Sequence, residues 1–249
     1  MSRLHVAHMK AVILAAGKGT RMGGLTTDLP KPMLPVRDKP VLEHIVEGLR
    51  DQAGIKDFFI ITGWCGHVIR DHFGDGKKWN INVSYGEQVV QDGTGKAPEL
   101  AREWIGPDKF LLTYGDILLN PPTDYKLLAE SFQEDGVIAV TKKSKEELSK
   151  GGAVVLNQDG FMTELIEKGA PESLPDSAFY NAGIYLLTPH IFTFTAKLEK
   201  SPRGEYEFTD ALKALVKAGA RLRGVTLQHE WADVRDPSVL DELNKRPKI

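Results

Sequence analysis

The sequence predicts an α/β protein built on a mostly parallel sheet with helices on both faces. Two observations carry that prediction. Apolar runs alternate with helical patterns through the first half, the β-α-β order that parallel sheets require. The chain also has 249 residues, of which 41% are apolar and 27% charged, enough for one large α/β domain with an ordinary core.

The elements follow in order. Lys10–Ala15 reads as the first strand, because Ala11 to Leu14 is a short continuous apolar run. Val41–Gln52 reads as a helix, Asp57–Thr62 as a strand, Gly66–Phe73 as a short helix and Ile81–Tyr85 as a strand. Helix-like spacing over Ala97–Trp104 precedes a buried strand at Phe110–Tyr114. The second half is richer in strands: Val137–Thr141, Ala153–Leu156, Phe161–Ile166 and Ala182–Leu187. Asn-Gln-Asp-Gly at 157–160 is a hairpin-turn signal. Phe208–Ala218 predicts a helix ended by Gly219, Arg221–Leu227 a late strand, and Pro237–Asn244 a closing helix with Asp236 as its cap. No repeat, low-complexity segment or linker interrupts the order.

Composition narrows the function. A net charge of −2 gives no support for a surface that coats nucleic acid. The single cysteine, Cys65, excludes an intrachain disulfide framework and fits a reducing cytoplasm; its expected role is a small, partly buried side chain. No apolar run approaches the roughly 18–20 residues of a membrane span, so neither membrane nor nucleic acid is expected as a partner. Residues 1–8 lack the apolar core of a secretion signal and precede a second methionine, Met9; they are set aside as an N-terminal extension. The seven histidines form no triad or zinc spacing.

Chemistry concentrates at strand ends, where ligands bind in sheets of this kind. The first strand runs into Leu14-Ala15-Ala16-Gly17-Lys18-Gly19-Thr20-Arg21-Met22, and Lys31 follows in Pro-Lys-Pro. A glycine-rich turn presents backbone N–H groups to an anion, and the cations add charge suited to polyphosphate. The spacing is neither that of a P-loop nor that of the dinucleotide fingerprint. Asp116 closes Tyr114-Gly115-Asp116 at another strand end, and Asp233 lies in Trp231-Ala232-Asp233. Two such carboxylates converging on phosphate oxygens could hold Mg²⁺, although a strand-end aspartate is also a turn former.

Together "LAAGKGTRM" and "PKPMLP" resemble the signature of the sugar-1-phosphate nucleotidylyltransferases. The likeness runs from Met9 to about Leu240. It implies a Rossmann-like, three-layer αβα nucleotidyltransferase fold of the glycosyltransferase-A type, with a nucleotide-binding half at about 9–120 and a strand-rich sugar-binding half at 121–249. It implies a nucleoside triphosphate and a sugar-1-phosphate as substrates, with Mg²⁺. The same resemblance gives Leu14, Ala15, Ala16, Gly17, Lys18, Gly19 and Thr20 to the nucleotide. Arg21, Lys31, Asp116 and Lys168 become catalytic, and Asp116 and Asp233 become metal ligands.

Glu87 to Gly95 is similar to the family's base-reading loop, in which Gln88 and Gly93 would read a uracil or thymine edge and Thr94 would shape the pocket. Gly152, Glu167, Asn181 and Tyr114 match sugar-binding positions, and Glu205 is a further candidate in a segment whose main expected role is to start a helix. Arg235 stands where the family often has glycine, either to clamp a phosphate or to pair with Asp236. "GTG", "YGD" and "GEYEFTD" look like uridylyltransferases for glucose or N-acetylglucosamine phosphates. The longer first loop and "GIKDFFIITG" look more like thymidylyl- or cytidylyltransferases, and phosphocholine is a further acceptor known among related folds. UTP is the favoured nucleotide. A glycosyltransferase or a non-catalytic paralogue are readings of another class. No β-helix domain follows, so no acyltransferase activity is expected, and a homo-oligomer is a family possibility.

Overall fold

A computed structural model describes residues 9–133, 135–167 and 169–246. The N-terminal extension and Lys168 therefore lie outside the described residues. In chain order the elements are β1 (Lys10–Ala15), β2 (Pro35–Val36), β3 (Lys39–Pro40), α1 (Val41–Gln52), β4 (Asp57–Thr62), α2 (Gly66–Phe73), β5 (Asn82–Glu87) and α3 (Arg102–Ile105). Then come β6 (Phe110–Tyr114), β7 (Ile117–Asn120), α4 (Asp124–Glu130), β8 (Gly136–Thr141), α5 (Lys145–Leu148), β9 (Gly152–Leu156) and β10 (Met162–Glu167). The chain closes with β11 (Phe179–Leu187), α6 (Phe192–Thr195), α7 (Phe208–Lys217), β12 (Leu222–Thr226), β13 (Glu230–Asp233) and α8 (Pro237–Lys245).

The central sheet runs β5-β4-β1-β6-β11-β8-β12, with the β9–β10 hairpin joined to the first residues of β11. Every pairing from β5 to β6 is parallel. Strand β11 enters antiparallel between β6 and β8, and β12 returns parallel to β8. The sheet is thus mixed and mostly parallel, and strands from both sides of residue 120 build it.

Alternation along β1 divides the interior into layers. Ala11, Ile13 and Ala15 join a cluster with α1, α2, α4 and α8, through Leu42, Ile45, Ile69, Tyr125 and Leu240. Val12 and Leu14 face a second cluster with α3, α6 and α7, through Ile105, Phe192, Phe208 and Leu212. This is the three-layer αβα arrangement. Burial on both faces explains why β1, β4 and β6 read as largely unbroken apolar runs.

Local chemistry explains several boundaries. The Asn157 carboxamide accepts from the backbone N–H of Asp159 at 3.1 Å and of Phe161 at 2.9 Å, closing the expected hairpin turn. Asp236 caps α8 by accepting from the backbone of Ser238 and Val239 at 3.1 and 3.2 Å. Other boundaries moved. The strand expected at 81–85 is Asn82–Glu87, and the stretch at 97–104 is a 3₁₀ turn, Ala97–Ala101, that continues into the one-turn α3. Pro98 lies within that 3₁₀ turn and lacks an N–H to donate to an α-helical bond. The antiparallel pair β7–β13 was not expected at all.

Candidate active site

Four parallel strands end on the same edge of the sheet, and their extensions are stitched together there. Trp64 N–H, beyond β4, donates to the Ala16 carbonyl at 3.0 Å, and Gly115 N–H, beyond β6, donates to the Leu14 carbonyl at 2.9 Å. Gln88 N–H, just beyond β5, donates to the Thr62 carbonyl at 2.8 Å. The glycine-rich turn, the Gln88 loop and Asp116 therefore share one cleft of about 440 Å³. Leu14 to Arg21, Lys31, Gln88, Gly93, Thr94, Tyr114 and Asp116 all line it, as does Glu205. Sequence reasoning missed Gln91, Pro32, Ala97 and Gly115, which line it too. Gln91, Pro32 and Gly115 lie inside motifs read for their neighbours, whereas Ala97 carried no signal.

Lys31 makes an ion pair with Asp116 in this cleft. Asp233 comes alongside from a distant part of the chain. Strand β13 pairs antiparallel with β7, Val234 N–H donates to the Asp116 carbonyl at 2.9 Å, and Trp231 Nε1 donates to the Ala182 carbonyl at 2.8 Å. Burial, and next the charge of Asp116, push the Asp233 carboxyl up to about 6. Lys31, Arg235 and Arg21 act on it in the opposite direction. Arg235 lines the cleft, and its Nε lies 3.6 Å from Asp236. A pair of carboxylates facing cations and a glycine-rich turn fits a hard divalent ion that takes its other ligands from phosphate and water. Among the described residues no group of three or more histidine, cysteine or acidic side chains could hold a metal alone.

The base-reading loop is held from the other half of the chain. Asp92 carbonyl accepts from Tyr206 N–H at 2.7 Å, and Gly95 N–H donates to the Tyr206 carbonyl at 2.8 Å. Gly93 sits between them at φ 112°, where an added Cβ would strike the Tyr206 backbone. Gln88 Nε2 donates to the Gly93 carbonyl at 2.8 Å. Because that carbonyl can only accept, the amide orientation is fixed and Oε1 is left as the acceptor.

A second cavity of about 230 Å³ adjoins the cleft through Tyr114 and Asp116 and includes Asn181 and Asp233. Asn181 Nδ2 donates to Tyr185 Oη at 2.8 Å, and its Oδ1 accepts from Gly183 N–H at 3.1 Å. Burial pushes the Tyr114 hydroxyl up to about 12, against hydrogen bonds with Thr94 and Tyr185. These bonds link the base loop to Asn181, and nothing in the sequence marked Tyr185 for such a link.

Gly152 and Glu167 are register partners on β9 and β10, and a Cβ on Gly152 would meet Asn181 at 3.4 Å. Neither lines the two cavities. Glu167 accepts from Thr209 Oγ1 at 2.8 Å and pairs with Lys213 at 3.5 Å.

A family model described as nucleotidyl transferase matches residues 10–246. The bifunctional protein GlmU of Methanococcus maripaludis (strain C7) is 37% identical over 238 residues, covering 96% of this chain and 54% of that protein. The chain thus spans about half the length of the GlmU proteins it matches. The UTP–glucose-1-phosphate uridylyltransferase AglF of Haloferax volcanii is 33% identical over 239 residues, with 96% of each chain covered. A solved UDP-glucose pyrophosphorylase in complex with UDP-glucose superposes with a TM-score of 0.82 at 25% identity, covering 95% of this chain and 97% of that one. A Bacillus anthracis structure described as a glucose-1-phosphate thymidylyltransferase gives 0.81 at 26% identity, covering 95% and 94%.

Proposed function

The chain belongs to the nucleotidyl transferase family, and we propose that it joins a nucleoside triphosphate, UTP first, to a sugar-1-phosphate of glucose or N-acetylhexosamine type. One observation carries the proposal: Lys31, Asp116, Arg21 and Arg235 line the cleft that also holds the glycine-rich turn, Gln88 and Gly93, and Asp233 faces the same charges from the adjoining cavity. In this reading a sugar-phosphate oxygen attacks the α-phosphorus and pyrophosphate leaves in line. Such a transfer needs positioning and charge neutralisation more than a protein nucleophile.

Backbone groups of residues 14–20 cradle the triphosphate. Arg21 neutralises the leaving polyphosphate, and Lys31 bridges the α-phosphate and the incoming phosphate. Asp116 and Asp233 would hold Mg²⁺, which when bound neutralises phosphate charge and orients the triphosphate. Asn181 and Tyr114 face the sugar from the adjoining cavity. Gly152, Glu167 and Lys168 keep the sugar and sugar-phosphate roles that the resemblance gives them. The enzyme would work in the cytoplasm, and no described helix is long and apolar enough to cross a membrane.

The fixed Gln88 amide supports the choice of base. Its Oε1 can accept from the N3–H of uracil or thymine, whereas cytosine presents an acceptor at N3. dTTP is accordingly the second reading, since it carries the same imide edge. Comparing kcat/KM across UTP, dTTP and CTP tests the assignment. UTP and dTTP should exceed CTP by about tenfold or more, roughly the worth of one well-placed hydrogen bond, and Gln88→Ala should flatten the preference. A preference for CTP would overturn it.

A further inference from the structure

We propose that Trp64 is the positioning residue of the phosphate-binding loop, tying the loop's two ends together and holding the Lys18 ammonium at the mouth of the cleft. The proposal rests on the triphosphate reading of that cleft.

Three contacts from this one residue reach the start, the middle and the end of the loop. The Trp64 backbone N–H donates to the Ala16 carbonyl at 3.0 Å. Lys18 Nζ lies 4.3 Å from the centre of the indole. Trp64 Nε1 donates to the Thr26 carbonyl at 2.9 Å. Between those ends the loop has little burial of its own: Met22 and Thr26 are buried, while Gly17, Lys18, Thr20, Arg21 and residues 23–25 are exposed. Its own 3₁₀ hydrogen bonds shape Thr20–Thr26, and Trp64 fastens that segment to the strand end.

Electrostatics points the same way. Lys18, Arg21 and Lys31 line one cleft, where Lys31 pairs with Asp116 and the Lys18 ammonium lies against the indole instead. An indole face is a partner for one of them, because its quadrupole attracts a cation while leaving it free to exchange for phosphate. Trp64 is not a core residue: it belongs to none of the three apolar clusters among the described residues.

The turn that carries it is built for close approach. A Cβ on Gly63 would lie 2.6 Å from the Ala16 carbonyl oxygen. Cys65 holds φ 49°, one of three non-glycine residues with positive φ among the described residues. Such a conformation persists only where the surroundings enforce it. It turns the chain from β4 into α2.

The test combines Trp64→Ala and Trp64→Phe, each made in wild-type and Lys18→Met backgrounds. UTP affinity is read by calorimetry with Mg²⁺ present, and turnover separately. Trp64→Ala should weaken UTP binding about tenfold, and Trp64→Phe, which keeps a ring but loses the Nε1 donor, about threefold. The Trp64→Ala loss should shrink in the Lys18→Met background. UTP should also change the intrinsic tryptophan fluorescence of the wild type, and that change should be absent in Trp64→Phe. If Trp64→Ala does not fold, Trp64→Phe and the fluorescence change decide alone. UTP affinities within about twofold of wild type, or equal losses in both backgrounds, would overturn the proposal. Wild-type protein that binds UTP without releasing pyrophosphate would end the activity reading and leave this one standing. Unchanged affinity in the variants of a fully active enzyme would end this one alone.

Discussion

At the scale of single residues the account turns on the Lys31–Asp116 pair with Asp233 beside it. Removing one electrostatic group from such a constellation typically costs on the order of 10²–10³ in rate, so Asp116→Ala and Lys31→Ala should each lose that much kcat. Near-wild-type turnover in either would remove the chemistry assigned to the cleft. Gly93→Ala should impair UTP binding more than folding, because its added Cβ would strike Tyr206 and displace the base loop. Comparing KM for UTP with the melting temperature would separate the two effects. Much of this constellation was legible locally. The turn at 14–21 announces an anion site by its glycines and cations, and Asp116 by its place after an apolar run. The meeting of Asp116 with Asp233 was not legible from spacing, because it depends on a pairing between distant strands; only the family resemblance placed the two together. Tyr185 was invisible, since a buried tyrosine in an apolar strand looks like any other core residue.

At the scale of elements, accuracy followed the strength of the local pattern. Strands β1, β4 and β6 and helices α1 and α2 fell where their apolar runs and periodicities put them. Strands β7 and β13 did not, being four residues each and paired only with one another. Nothing local in Ile117–Asn120 or Glu230–Asp233 encodes that partner. Its approach is pinned elsewhere: the buried Asp124 carboxylate accepts from the backbone N–H groups of Gln228 and His229 at 3.0 and 2.9 Å, just before β13. The Asp236 cap on α8 offers a test of stability at this scale. Asp236→Ala should cost about 0.5–2 kcal/mol, measured by denaturant unfolding. Hydrogen bonding to Ser238 and to the Val239 N–H holds the Asp236 carboxyl below its ordinary value. Its contribution is therefore present above the unfolded value of 3.8 and lost as pH falls through the lower folded value. An unchanged unfolding midpoint in the variant at neutral pH would refute the capping role.

The whole molecule shows how one sheet edge becomes a site. Parallel strands bring their carboxyl ends together, while antiparallel β11 delivers Asn181 to the same edge from the second half of the chain. Tyrosines on the strands that form this edge share an alkaline signature. Burial pushes the Tyr85 and Tyr114 hydroxyls up to about 12, and raises Tyr180 and Tyr185 as well. A group whose folded pKa exceeds its unfolded value gives stability that is complete below the unfolded value, here 10, and lost as pH rises through the folded one. The melting temperature should therefore fall progressively above pH 10; a flat profile to pH 12 would contradict that. The central claim is nucleotidyl transfer in the cleft, and ³¹P NMR of the protein with UTP, Mg²⁺ and a panel of sugar-1-phosphates tests it most directly. The account predicts pyrophosphate and nucleotide sugar in equal amounts, formed only when both substrates are present. No product with any pair of triphosphate and sugar phosphate, or triphosphate hydrolysis indifferent to the sugar phosphate, would contradict it.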